Sequence, residues 1–321
     1  MYTHALKNLA LIPLTVLALT TTLRAEDALT PAIPGVVAAN TRIELIRDGF
    51  AGTEGPLGLT DGSLIFTETN ANRITRIAPD NTLSVFLENS NGANGLGFNS
   101  QGELIAVQTL NPRVGIIYPA QREKVFATRF EEQTFQRPND LVVDRKGGVY
   151  FTDSGTRPTR ENPNPPPSTP GVYYYSPAGK LFRLANDIAR PNGIQLSRDE
   201  KTLYVANTLG ESLLAWNVSG EGTLSDRRDF ARLKGWSQGE DGWSSGADGL
   251  ATDEAGRLYA ATNAGVEVFS PEGTALGVIP IPKKPQNLAF AGLEKKTLYV
   301  VGRGAAYRIE LETPGIKGRL K

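Results

Sequence analysis

Apolar positions in this chain come in short runs. A polar residue opens each run, a turn rich in Gly, Asp, Asn or Lys closes it, and a second apolar run answers it. The clearest examples are "RPNDLVVDRKGGVYFTD" at 137–153, "RPNGIQLSRDEKTLYVANT" at 190–208, "GANGLGFNSQGELIAVQ" at 92–108 and "GADGLATDEAGRLYAAT" at 246–262. Weaker copies are "EGPLGLTDGSLIFTET" at 54–69 and "PQNLAFAGLEKKTLYVVG" at 285–302. The runs are short, rich in β-branched and aromatic residues, and bounded by turn residues, so they predict paired strands rather than helices. The leading polar residues are Glu54, Asn94, Asn139, Asn192, Asp248 and Asn287, separated by 40, 45, 53, 56 and 39 residues.

A self-similar period of about 40–50 residues suits a four-stranded propeller blade. More strand material follows each hairpin, as in "GVYYYSP" then "KLFRLAND". Two hairpins per repeat and six repeats predict an all-β fold, a six-bladed β-propeller with four antiparallel strands per blade. The stretch "TRIELIRDGF" at 41–50 precedes the first unit. It is expected to form the outer strand of the last blade after "AAYRIEL", closing the ring from the N-terminal side and removing exposed sheet edges.

Residues 1–25 predict a secretory signal peptide. His4 and Lys7 precede an uncharged, largely apolar stretch from Leu9 to Leu23, and "LRA" offers a small residue, Ala25, for cleavage. Residues 26–40 then read as an N-terminal linker and 41–321 as the propeller. A periplasmic or secreted protein follows, with no membrane span after signal cleavage. Cleavage removes Lys7, Arg24 and the only histidine, His4, leaving 32 basic and 34 acidic residues. There is no cysteine and no basic stripe. Thiolate chemistry, histidine general bases and Ser-His-Asp triads are thereby excluded from the mature chain, and nucleic acid is not an expected partner.

The first strand of each blade lines the central channel of a propeller, so the six leaders should converge at one mouth. Asp153, Asn207, Asn263, the Pro-rich loop 157–170 and the loop 232–247 belong on the same face. Glu54, Asn192 and Asp248 would bring hard oxygen donors together, a set that suits Ca2+, Mg2+ or Mn2+ better than structural zinc. The alternative is that Asn-Gly and Asp-Gly are simply turn dipeptides.

These repeats resemble the SMP-30/gluconolactonase/LRE family of six-bladed propeller lactonases over about residues 41–310. The resemblance rests on the "EGP" opening, "RPND…YFTD", "RPNGI…LYVANT", "DGLATDEAGRLYAAT" and "NLAF" in this order. It implies a metal triad of Glu54 in "TEGP", Asn192 in "RPNG" and Asp248 in "ADGL". It also implies substrate contacts from Arg137 and Asn139. Asn94 and Asp153 complete the expected substrate-binding set, with Asp153 equally suited to a hydrogen bond inside its blade. The implied reaction is hydrolysis of a gluconolactone-like sugar lactone, a small-molecule substrate. One divalent ion assists it, Ca2+ first and Mg2+, Mn2+ or Zn2+ as alternatives, with Asp248 as both ligand and general base. The stretches "AVQTL" at 106–110 and "FTDSGTRP" at 151–158 depart from the family pattern and bear on the substrate. Trp236 and Trp243 offer either an apolar wall over a sugar or loop packing. Loop 157–170 is either a lid or a solvated insertion. Two other readings stay open: a broader esterase or organophosphate hydrolase on the same scaffold, and a non-catalytic propeller that binds a metal and a ligand.

Overall fold

The computed structural model describes Met1 and residues 28–318, apart from 157–162, 166–167 and 241. The expected signal segment, Met1 aside, and most of loop 157–170 lie outside the described residues. Among the described residues, six antiparallel sheets of four or more strands follow one another along the chain. The first blade comprises Thr53–Gly58, Leu64–Glu68, Arg73–Ile77 and Leu83–Glu88. The second comprises Ala93–Phe98, Leu104–Gln108, Arg113–Tyr118 and Lys124–Ala127. The third comprises Pro138–Val143, Val149–Asp153, Gly171–Tyr175 and Leu181–Ala185. The fourth comprises Pro191–Leu196, Thr202–Asn207, Ser212–Gly220 and Thr223–Arg232. The fifth comprises Leu250–Thr252, Leu258–Thr262, Gly265–Phe269 and Ala275–Ile279. The sixth begins with Asn287–Ala291, Thr297–Gly302 and Ala305–Glu310.

Arg42–Asp48 completes the sixth blade by pairing antiparallel with Ala305–Glu310, with Leu45 opposite Tyr307 and Glu44 opposite Arg308. The Arg308 guanidinium donates to the Glu44 carboxylate at 2.9 Å across this seam. The ring therefore closes as expected, between strands from opposite ends of the chain.

The sheet pattern explains why some strands were easier to read than others. The inner strands are sandwiched between neighbouring blades, so Thr53–Gly58 is buried at every position while Leu83–Glu88 on the rim is largely exposed. Six apolar clusters hold the ring, one at each junction between neighbouring blades. Residue 66, for example, packs Phe66 of the first blade with Tyr299 and Val301 of the sixth. Such burial contributes about 1.5–3 kcal/mol for each large aliphatic or aromatic side chain.

Within the expected linker, residues 28–40 pack onto the propeller. Ala28–Leu29 pairs with Arg42 and Ile43 as a fifth strand of the sixth blade. Ile33, Val36 and Val37 are buried between the fifth and sixth blades with Tyr259, Val268 and Phe290. Gly35 has φ +72° and its carbonyl accepts hydrogen bonds from Arg257 Nη1 (2.8 Å) and Thr313 Oγ1 (2.7 Å). Pro and Gly in "PAIPGVV" hide this packing from a search for strand periodicity.

Candidate active site

The inner strands of successive blades touch one another around the axis. That contact favours the glycine that follows four of the six leaders. A β-carbon at Gly193 would collide with the Asp248 carbonyl oxygen, and one at Gly249 would collide with the Asn287 side chain. Gly193 and Gly249 both have ordinary backbone angles. The recurring leader-Gly pair is therefore a close-approach device here, not a turn signal. The third blade carries Asp140 at the equivalent position, fully buried, with its Oδ1 accepting from the Leu141 N–H at 2.9 Å.

A cavity of about 430 Å³ opens off the ring. Glu54, Asn139, Asn192 and Asp248 line it, together with Arg137 and Arg190 from the segments just before two inner strands. The rest comes from loops after second and fourth strands, as expected: Thr208, Asn263 and Arg303 from the former, and Glu240, Lys284 and Gln286 from the latter. Other clefts of comparable or larger size gather none of the leader residues.

The fourth and fifth blades aim the two central donors. Thr208 Oγ1 donates to the Ala247 carbonyl at 2.8 Å and accepts from Asn192 Nδ2 at 3.0 Å. This fixes the Asn192 amide with its Oδ1 enclosed and without a hydrogen-bond partner. Asp248 is held by its backbone N–H to the Ala261 carbonyl at 2.9 Å, and its Oδ1 is likewise enclosed and unpartnered. Glu54 accepts from Gln286 Nε2 at 3.1 Å and from Asn287 Nδ2 at 3.3 Å.

Burial and mutual repulsion disfavour ionisation of these acids. Burial, then the charges of Asp248 and Asp140, raise Glu54 well above the usual carboxylate range. Burial raises Asp248 to about 7, with Lys284, Arg190 and Arg137 opposing the shift and Asp140 adding to it. Two enclosed oxygens without donors, one amide and one carboxylate, beside the buried Glu54 carboxylate, form the kind of oxygen set that a hard divalent cation satisfies. Among the described residues no three acidic or histidine side chains gather as a metal cage, so this set depends on the Asn192 amide as its third member.

Four residues singled out in the sequence do not line this cavity. Asp153 does not face the cavity. Its Oδ2 accepts from the Gln136 N–H (2.8 Å), and its Oδ1 accepts from the N–H groups of Arg137 (2.8 Å) and Gly155 (3.0 Å). With both oxygens engaged, it fixes the backbone that presents Arg137, the hydrogen-bonding role inside its blade that the sequence equally allowed. Asn94 is buried at ring level, its carbonyl accepting from Thr67 Oγ1 at 3.1 Å, and it is not part of the cavity lining. Trp236 and Trp243 stack on each other with ring centroids 5.5 Å apart and do not line the cavity. Their ribbon, Ser237–Gly239 paired with Gly242–Ser244, presents Ser237, Gly239, Glu240 and Ser244 instead. Asn263 pins that ribbon by donating to the Ser244 carbonyl at 2.9 Å.

The atypical stretch 106–110 is structural too. Gln108 donates to the Ser90 carbonyl (2.8 Å) and accepts from Arg113 Nε (2.6 Å). Ser154 Oγ donates to the Pro191 carbonyl at 2.6 Å, joining the third blade to the fourth. The residues that sequence reasoning missed are Asp140, Arg190, Thr208, Glu240, Lys284, Gln286 and Arg303. Lys284 and Gln286 stand three and one residues before the leader Asn287, on either side of the two-residue offset at which Arg137 and Arg190 precede theirs.

A family model described as the SMP-30/Gluconolactonase/LRE-like region matches residues 52–303. A gluconolactonase of Zymomonas mobilis is 28% identical over 308 residues, covering 89% of this chain and 85% of the relative. A lactonohydrolase of Aspergillus oryzae is 28% identical over 244 residues, 67% of this chain and 53% of that relative. A Xanthomonas campestris structure, described as a gluconolactonase important in glucose secondary metabolic pathways, superposes with a TM-score of 0.75. It is 26% identical and covers 88% of this chain and 93% of its own.

Proposed function

Given that the chain belongs to the SMP-30/gluconolactonase/LRE-like family, we propose that it hydrolyses a sugar lactone to the open-chain acid with one divalent cation held by Glu54, Asn192 and Asp248. The observation that carries this reading is the pair of enclosed, unpartnered oxygens, Asn192 Oδ1 and Asp248 Oδ1, beside buried Glu54 in one polar cavity. Oxygen-only donors favour Ca2+, with Mg2+, Mn2+ or Zn2+ as alternatives. When bound, such an ion polarises the lactone carbonyl and lowers the pKa of water.

The chain's own groups supply the rest. Asp248 takes a proton from the attacking water; burial raises it above an exposed Asp in the ion-free site, and a bound cation offsets that shift and keeps the carboxylate ionised. The water oxygen bonds to the acyl carbon, the ring C–O bond breaks, and Asp248 returns the proton to the departing ring oxygen. Arg137 and Asn139 donate hydrogen bonds to the ring and its hydroxyls. Gln286 and Asn287 hold the Glu54 carboxylate in place. The apolar run and small-residue end of residues 1–25 support a periplasmic or secreted location for the mature protein.

The test is acid release from gluconolactone and a panel of other lactones, after chelation and after adding back each ion, with spontaneous hydrolysis subtracted. Turnover lost on chelation and restored by one ion is the expected result. Turnover unaffected by chelation would remove the metal from the reading. Ion binding without turnover of any lactone would leave a binding propeller.

A further inference from the structure

The charges around the mouth exceed what the proposed reaction uses. Arg137, Arg190, Lys284 and Arg303 line the cavity, against Glu54, Asp248 and Glu240. A bound divalent ion would add to this positive excess, even with Asp140 beneath. Elsewhere the chain pairs its arginines closely: Arg122 with Glu103, Arg198 with Glu254, Arg257 with Asp253 and Arg308 with Glu44. Lys283, one residue before Lys284, pairs with Asp48. Arg137, Lys284 and Arg303 make no ion pair with any described carboxylate.

Arg303 is also held in an unusual backbone. Gly302 and Ala305 face each other across a two-residue turn, with Arg303 at φ +51° and Gly304 at φ +76°. Both central residues of such a turn need positive φ, which favours Asn-Gly or Gly-Gly. An arginine there is a local cost with no packing return, since Arg303 is exposed. The turn is anchored to the site. The Arg303 N–H donates to Gln286 Oε1 at 2.7 Å, and the same Gln286 donates to Glu54.

The cations could serve only to offset the buried acids. Arg137, Arg190 and Lys284 do act on Asp248 in that way, whereas Arg303 is not among the strong influences on Asp248 or Glu54. Arg303 lies beside Lys284 instead: the preceding Gly302 packs against the Lys284 carbonyl, and Lys284 feels the like charge of Arg303 as well as the attraction of Asp248. Two neighbouring cations at a polar mouth are satisfied by an anion between them.

We propose that Arg303 and Lys284 form an anion subsite at the cavity rim, so that the preferred substrate is a lactone carrying a second acidic group, a carboxylate or a phosphate ester remote from the ring ester. This rests on the lactonase reading for its substrate, but its binding test does not need turnover.

Two measurements decide it. Calorimetry on the calcium-loaded protein compares gluconate, glucarate and 6-phosphogluconate at low and high salt. Kinetics compares gluconolactone with glucarolactone and 6-phosphogluconolactone. At least one of the two ligands with a second acidic group should bind about tenfold more tightly than gluconate, the scale of one or two charge-assisted hydrogen bonds at the rim. Salt should narrow the gap. The ratio of kcat/KM for the anionic over the neutral lactone should rise similarly. Arg303→Gly, which suits the turn, and Lys284→Gln should each collapse both ratios toward one. An advantage for glucarate alone assigns a carboxylate, and one for the phosphate alone assigns a phosphate ester. Equal affinity for all three acids in the wild-type protein overturns the subsite. Gluconolactone turnover without any preference for charge would do the same while leaving the lactonase reading intact. Tighter anion binding with no lactone turned over would keep the subsite and remove the lactonase.

Discussion

At the residue scale, Asp248 carries two demands that pull in opposite directions. As a buried carboxylate without a donor on Oδ1 it destabilises the ion-free fold when ionised, and as a base it must be ionised to act. Asp248→Asn separates them. The amide keeps the shape but cannot accept the water proton, so kcat should fall by about 10²–10⁴-fold, the usual contribution of a positioned base. The same change removes a buried charge. In chelator at pH 8 the variant should therefore melt above the wild type, and the gap should close near pH 5, where the wild-type carboxyl is itself neutral. Turnover near the wild-type level would remove Asp248 as the base. Asp153 shows the limit of reading such residues from sequence. It ends a strand as part of "FTD", and the sequence leaves a substrate contact and a hydrogen bond inside its blade equally open. Only the fold reveals that three backbone N–H groups consume its oxygens.

At the scale of elements, the hairpins were legible because each inner strand sets a polar leader ahead of buried aliphatic residues and is followed by turn residues and a second buried strand. The closing strand Arg42–Asp48 was legible from the incomplete last repeat. Segment 28–40 was not, because it packs through three aliphatic residues at irregular spacing between Pro, Gly and Asn. Its burial makes a clear prediction. Ile33→Ala should cost about 2–5 kcal/mol, as expected for a large aliphatic side chain truncated in a packed core. Leu29→Ala, at a half-exposed position, should stay within about 0.5 kcal/mol. Denaturant midpoints with matched slopes check both. An Ile33→Ala midpoint equal to that of the wild type would return the segment to a passive linker. The leader residues tell a related story. Their convergence was readable from the repeat, yet the glycine that follows several of them was ambiguous. A turn and a close approach both favour Gly, and sequence carries no record of the neighbouring blade.

At the scale of the whole molecule, the ring brings acids from different blades to one place, so stability, pH and cation binding must be linked. The sign follows from Asp248 and Glu54. Both have folded-state pKa values above their ordinary ones, Asp248 at about 7 against 3.8. In the ion-free protein the folded state holds protons that the unfolded chain has already released between about pH 4 and pH 7. Stability from these groups is thus fully present below that window and is lost as pH rises through it. A cation that binds the ionised carboxylates competes with those protons. Its stabilising effect should be largest above pH 7 and should shrink as the pH falls toward 5. At a hundredfold excess over its Kd, a single-site ligand contributes about 2.7 kcal/mol. Thermal melts with and without calcium, at pH 8 and pH 5, should show a shift of several degrees at pH 8 and at most half of it at pH 5. In Asp248→Asn the pH 8 shift should largely disappear. Equal calcium shifts at the two pH values, or a full shift in the variant, would mean that the ion binds away from Glu54 and Asp248, and the proposed donor set would fall with it.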